Sequence, residues 1–128
     1  MTGLKSNEQF QRVYRRGRSR ADGLIVVYRL NNGEEDDRFG ISVSKKVGNS
    51  VVRHKIKRRI REIARAFSSS EGGFDYVIVA RKAAASASYQ ELQSSFERLV
   101  GLLSASIPAR KRDASVRDRI ASGETRSN

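Results

Sequence analysis

The sequence predicts a single α+β domain, an α-β sandwich of one sheet and a few helices. Three observations predict it. Two capping boxes, Ser6-Asn-Glu-Gln9 and Ser88-Tyr-Gln-Glu91, open stretches of helical character. Between them lie runs of strand length rich in β-branched and aromatic residues, at Gly23–Leu30, Arg38–Ser44 and Phe74–Ala80. The 128 residues, 38% of them hydrophobic, suffice for one modest core and not for two.

Each element follows in turn. The first capping box predicts a helix through Arg16 that stops at Gly17. Gly23–Leu30 is a strand, and Asn31-Asn-Gly33 with Glu34–Asp37 is a polar loop. Arg38–Ser44 alternates apolar and small polar residues, and it is expected to pair with Gly23–Leu30 as a hairpin. A basic helix runs to Phe67, and Ser68–Gly73 is a loop. Phe74–Ala80 is short and apolar, so it reads as a buried strand. The last helix carries Leu92, Phe96, Leu99, Val100 and Leu103 at helical spacing. Beyond it the chain turns polar and carries its only proline, Pro108. The expected division is therefore a domain over 1–104 and a basic, disordered tail over 105–128. No internal repeat is present.

The formal net charge of +12 and the pI near 10.9 speak of partners rather than fold. Polyanions fit best: RNA, DNA or an anionic membrane face. With no cysteine there is no disulfide framework, thiolate chemistry or Cys-based zinc site. The first ten residues lack the apolar stretch of a signal peptide, and no apolar run approaches the ~20 residues that span a bilayer. The expectation is a soluble, cytoplasmic protein with no membrane association.

The positive charge concentrates between Lys45 and Phe67, where Glu62 is the only acid. At ~100° per residue, Val52, Ile56, Ile60, Ile63 and Phe67 share a sector of roughly 80° that can pack on a sheet. His54, Arg58, Arg61 and Arg65 fall opposite, with Arg53 and Lys57 on one edge and Lys55 on the other. Ordinary solvated helices alternate acid and base at i, i+4. This one does not, which points to a phosphate-binding face. Lys45 and Lys46 precede it. Gly48 is expected to use a backbone closed to other residues, and Asn49 or Ser50 to cap the helix, leaving the other to reach outward.

A second feature is aromatic. Phe10, Val13 and Tyr14 lie on one side of the first helix, and Tyr28 shares a strand face with Val26, leaving Ile25 and Val27 on the other. Aromatic rings beside Arg12, Arg15, Arg16 and Arg18 suit single-stranded nucleic acid, whose bases stack while cations hold the backbone. From the residues alone, core packing remains the plainer reading of Phe10 and Tyr14.

The stretch Lys45-Lys46-Val-Gly48-Asn49-Ser-Val-Val-Arg53-His54-Lys55-Ile-Lys57-Arg58-Arg-Ile-Arg61-Glu62 closely resembles the signature of the bacterial ribonuclease P protein subunit. The resemblance extends through Ser6–Phe10, Arg15–Gly17, Gly40–Lys46 and Asp75–Arg81, and covers roughly residues 4–103. The family's usual Arg-Asn-Arg stands here as Arg53-His54-Lys55. His54 can still donate to a phosphate or a 2′-hydroxyl, while Lys55 keeps charge but loses the planar fork of arginine.

The resemblance implies a function: binding a large catalytic RNA and assisting removal of the 5′ leader from precursor tRNA. It implies that Mg²⁺, held mainly by the RNA and the substrate, supplies the cleavage chemistry, with no small-molecule substrate and no catalytic residue from the protein. It implies that Lys45, Lys46, Asn49, Arg53, His54, Lys55, Lys57, Arg58, Arg61 and Arg65 face the catalytic RNA. Phe10, Tyr14, Arg15, Val26 and Tyr28 would bind the single-stranded leader, and the free protein would be a monomer. The implied fold is a four-stranded sheet with helices in αβββαβα order, like one domain of a small-subunit ribosomal protein. Its βαβ crossover would be left-handed, against the general rule. The fourth strand would then fall in Ser19–Asp22 or in Glu34–Asp37. Competing readings are a ribosomal or ribosome-assembly protein, a DNA-binding module with its basic helix in a major groove, and a self-sufficient nuclease. The commitment of Ile56 and Ile60 to a sheet counts against the second, and the lack of a catalytic cluster against the third.

Overall fold

The computed structural model describes residues 2–67 and 72–105. In chain order the elements are β1 (Thr2–Gly3), α1 (Asn7–Arg16), β2 (Arg18–Ala21), β3 (Ile25–Asn31), β4 (Arg38–Ser42), α2 (Ser50–Ala66), β5 (Phe74–Ala80), a short 3₁₀ turn (Lys82–Ser86) and α3 (Tyr89–Ala105). From α1 onward this is the expected αβββαβα order. The sheet runs β1-β4-β5-β3-β2, so two-residue β1 adds a parallel edge to the expected four strands. The fourth strand is β2, which overlaps the first of the two regions considered and begins one residue before it. The loop expected over Ser68–Gly73 and the tail expected over 105–128 fall mostly outside the described residues.

Both capping boxes form. Ser6 Oγ accepts the Gln9 N–H at 3.2 Å, and Gln9 Oε1 accepts the Ser6 N–H at 3.1 Å. Glu91 N–H donates to Ser88 Oγ at 3.1 Å, and Ser88 N–H to Glu91 Oε1 at 2.8 Å. Each box satisfies N–H groups that a helix start otherwise leaves bare. Gly17 ends α1, its N–H donating to the Val13 carbonyl at 2.8 Å.

The expected hairpin of Gly23–Leu30 with Arg38–Ser44 does not form. β3 pairs antiparallel with β2 and with β5, while β4 pairs parallel with β5. β5 therefore lies between the two strands. Its residues are buried at Asp75–Ile78 and Ala80, as a strand covered on both faces requires. The tight hairpin is β2–β3 instead. There Asp22 Oδ1 accepts the N–H groups of Leu24 and Ile25 at 2.9 and 3.1 Å, an Asx-type turn.

The sheet carries a core on each face. On one, Ile25, Val27, Phe39, Tyr76 and Ile78 pack against Ile56, Ile60 and Ile63 of α2 and Leu92, Phe96, Leu99, Val100 and Leu103 of α3. Each fully buried large apolar side chain there contributes roughly 1.5–3 kcal/mol. On the other face a small cluster of Leu4, Val13 and Val77 is flanked by Phe10, Tyr14, Tyr28, Leu30 and Val79. Among the described residues, no helix is long and apolar enough to cross a membrane.

Candidate nucleic-acid interface

The basic helix starts from a tight turn. Val47 is buried in the larger core and its N–H donates to the Ser44 carbonyl at 3.1 Å, which leaves Lys45 and Lys46 exposed at the corner. Gly48 does not use a left-handed backbone; among the described residues the positive-φ glycines are Gly33, Gly72 and Gly73. Its need is for space: a Cβ there would lie 2.8 Å from Val52 Cγ1. Of the two capping candidates Asn49 is the cap, its Oδ1 accepting the Val52 N–H at 3.0 Å, and Ser50 is the first helical residue, exposed to solvent.

Along α2 the two faces separate as the periodicity requires. Ile56, Ile60, Ile63 and Ala64 are buried, with Val52 and Phe67 half-buried at the ends. His54, Lys55, Arg58, Arg61 and Arg65 are exposed, and Arg53 and Lys57 are half-buried along one edge. No acid lies in the first turn of α2, so the positive end of its dipole adds to the side-chain charge. Among the described residues none of these cations enters an ion pair, and the buried Nε of Arg53 has no hydrogen-bond partner. Arg53, Lys57, Arg61 and Arg65 follow one another at i, i+4, and each such like-charge pair costs about 0.2–0.5 kcal/mol. An anionic partner would remove that cost. Arg59 differs, donating to the Ala87 carbonyl at 3.1 Å and tying α2 to the start of α3.

Phe10, Tyr14 and Tyr28 gather on the opposite face of the sheet. Tyr14 and Tyr28 meet edge to face with centroids 5.0 Å apart. Phe10 lies on Gly40, where a Cβ would come within 2.5 Å of its ring, so only glycine lets α1 approach the sheet this closely. Val26 lies beside Ala21 and Val79 in the strand register, two residues along from Tyr28 on the same face. Val26, Tyr28, Leu30 and Val79 are only half-buried, whereas Ile25, Val27 and Ile78 on the other face are buried. α1 thus leaves an apolar, aromatic cleft along its flank, with Arg15 exposed on its outer side.

The expected site residues therefore form two surfaces on opposite faces of one sheet. They approach each other around the end of β4. Ser42 is in register with Val79 on the cleft side, and Lys45 follows three positions later.

Sequence reasoning missed a third feature. Asp75 is wholly buried on the α1 face, where its carboxylate takes Nε and Nη2 of Arg38 at 2.7 and 2.8 Å and Nδ2 of Asn32 at 2.9 Å. The hydrogen bonds that Arg38 donates to Asp75 hold its guanidinium above its ordinary pKa, against the effect of burial. The available signal was the lone acid in the apolar run Phe74–Ala80, since an acid is almost never buried unless paired. Among the described residues no group of three or more His, Asp or Glu side chains could hold a metal ion.

Known proteins are similar to this chain in sequence and in fold. The sequence model of the Ribonuclease P family matches residues 2–104. The chain is 44% identical over 100 residues to the ribonuclease P protein component of Clostridium kluyveri, covering 76% of this chain and 89% of that one. It superposes on the RNase P protein of Staphylococcus aureus with a TM-score of 0.73 at 40% identity, covering 80% of this chain and 94% of that one. For the RNase P protein of Thermotoga maritima the TM-score is 0.69 at 27% identity, with coverage of 82% and 97%.

Proposed function

The chain belongs to the ribonuclease P protein family, and we propose that it serves as the RNA-binding protein subunit of a cytoplasmic ribonuclease P. In this reading the exposed face of α2, with Lys45 and Lys46, binds the phosphates of the catalytic RNA. The α1 cleft takes the single-stranded 5′ leader of precursor tRNA. The observation that carries the reading is the pairing of an uncompensated cationic helix face with a half-open aromatic cleft across one thin sheet.

The physical logic is direct. Catalytic RNA and precursor are both polyanions, and their approach is opposed by phosphate repulsion. A protein of formal charge +12 between them lowers that cost. Guanidinium groups on a helix fixed by its isoleucine stripe meet phosphates without first being ordered, so little side-chain freedom is lost beyond that of each tip. In the cleft, Tyr14 and Tyr28 offer ring faces that accept any base, as a subunit serving many precursors requires. Mg²⁺ held by the RNA and the substrate supplies the hydrolytic chemistry, and the protein's part is to bind and orient.

Reconstitution tests this. Combined with a ribonuclease P RNA and a labelled precursor tRNA at low Mg²⁺, the protein is expected to raise the rate of 5′ cleavage over RNA alone. No gain would defeat the proposal.

A further inference from the structure

The α1 face carries an ionic group that stacking and phosphate contacts leave unused. Asp75 binds Arg38 of β4 through both oxygens and Asn32 through one, and Arg12 Nη2 of α1 stands 3.8 Å from Oδ2. Asn32 also donates to the Asp36 carbonyl at 3.1 Å and accepts the Glu34 N–H at 2.7 Å, which ties in the loop between β3 and β4. Three segments of the chain, α1, the β3–β4 loop and β4, thus converge on one β5 carboxylate with no exposed surface. Taking charges out of water is costly, so a buried pair is poor evidence for stability, and fixing a geometry is the role such pairs can serve instead.

Helix geometry shows which geometry that is. Residues of α1 follow at ~100°, and Val13, fully buried, points at the sheet. Tyr14 and Arg12 then fall on opposite flanks. Tyr14 descends beside Tyr28 to form the cleft wall. Arg12 descends on the far side toward Asp75. Val13, Phe10 and Tyr14, the only apolar residues of this ten-residue helix, pack on the sheet at its centre and on the cleft side, which leaves the Arg12 flank with no apolar contact of its own.

We propose that Asp75, acting through Arg12 and Arg38, is a positioning group that braces α1 from behind and so sets the width of the Tyr14–Val26–Tyr28 cleft. The inference rests on the reading of that cleft as the leader site and adds to it the device that holds it open at a fixed width. Arg12 touches no leader in this scheme. It carries the position of Asp75 to the cleft wall.

The test uses the reconstituted RNA–protein complex and the ratio of its affinities for precursor and for mature, leaderless tRNA. Tyr14→Ala examines the cleft itself. If that ratio does not fall, the leader reading fails and the brace fails with it. Given a fall, Arg12→Met, which keeps the apolar stem and removes the charge, is expected to lower the ratio about fivefold, the low end of coupling between non-contacting groups. Arg12→Lys should restore most of it. Affinity for the catalytic RNA should stay unchanged, because α2 lies across the sheet. An unchanged ratio in Arg12→Met overturns the proposal, as does an equal loss of catalytic-RNA affinity, which would mark general destabilisation. A salt dependence of precursor binding shallower by about one ion would mark direct phosphate contact by Arg12 and would overturn it too. Asp75→Asn should act in the same direction and more strongly. Should that variant not fold, Arg12→Met decides.

Discussion

The two faces of the sheet are built from similar residues and covered differently. One lies under two seventeen-residue helices, α2 and α3, and its apolar side chains are almost all buried. The other lies under one ten-residue helix and leaves Val26, Tyr28, Leu30 and Val79 half-open. In the proposed function the contrast separates two ways of meeting nucleic acid. On the closed face, the proposed binding groups sit on the outside of a helix whose inside is core, and they would act by charge. On the open face the sheet itself is the proposed surface, and it would act by apolar and aromatic contact.

Four variants probe that contrast, from the largest expected effect to the smallest. Phe96→Ala empties the middle of the closed face and is expected to cost about 3–5 kcal/mol in denaturant unfolding. Phe10→Ala on the open face should cost clearly less, because its ring is half-exposed; equal losses would erase the distinction between the faces. Replacing Phe10 and Tyr14 together by Ala should instead weaken precursor binding by about 1–3 kcal/mol per stacked base, with little change for mature tRNA. Changing Arg53 and Arg58 to Ala should weaken assembly with the catalytic RNA and flatten its salt dependence by about one ion each. If precursor and mature tRNA suffer alike from the aromatic changes, or if the arginine changes leave the salt slope intact, charge and stacking are not divided between the faces.

The smallest effect concerns Asp22, at the β2–β3 turn. Burial alone would raise its pKa. Hydrogen bonds with Ser95 and with the Ile25 and Leu24 N–H groups, together with the Arg98 charge, outweigh burial and lower it. A carboxylate depressed in the folded state stabilises above its unfolded pKa, and that stabilisation is lost as pH falls through the folded value. Asp22→Asn is therefore expected to lower the unfolding midpoint modestly at neutral pH, with the gap to the parent closing below about pH 4. A gap that persists in acid would assign the effect to the turn's shape rather than to its charge.

Local features were legible because their causes are local. Ser6, Gln9, Ser88 and Glu91 form their capping boxes within single turns of chain. The α2 stripe and its cationic face follow from the 3.6-residue period alone, and burial reproduces the division residue by residue. Strand partnership was read wrongly because it is not local. β3 and β4 are consecutive in sequence, yet β5 lies between them, brought there by the α2 crossover. The true turn is an Asx-type turn made by the Asp22 side chain with the Leu24 and Ile25 N–H groups, and Arg18–Ala21 has too little apolar character to read as a strand.

By itself the sequence determined the helices, their caps, the basic face and the family signature, since each depends on spacing within a few turns of chain. Only the tertiary structure decided that the basic and aromatic residues occupy opposite faces of one sheet. It alone showed that Tyr14 meets Tyr28 across fourteen positions of chain, and that Asp75 gathers Arg12, Arg38 and Asn32. Those contacts depend on which strands become neighbours. That choice rests on how every apolar face is covered at once, and no single stretch of residues encodes it.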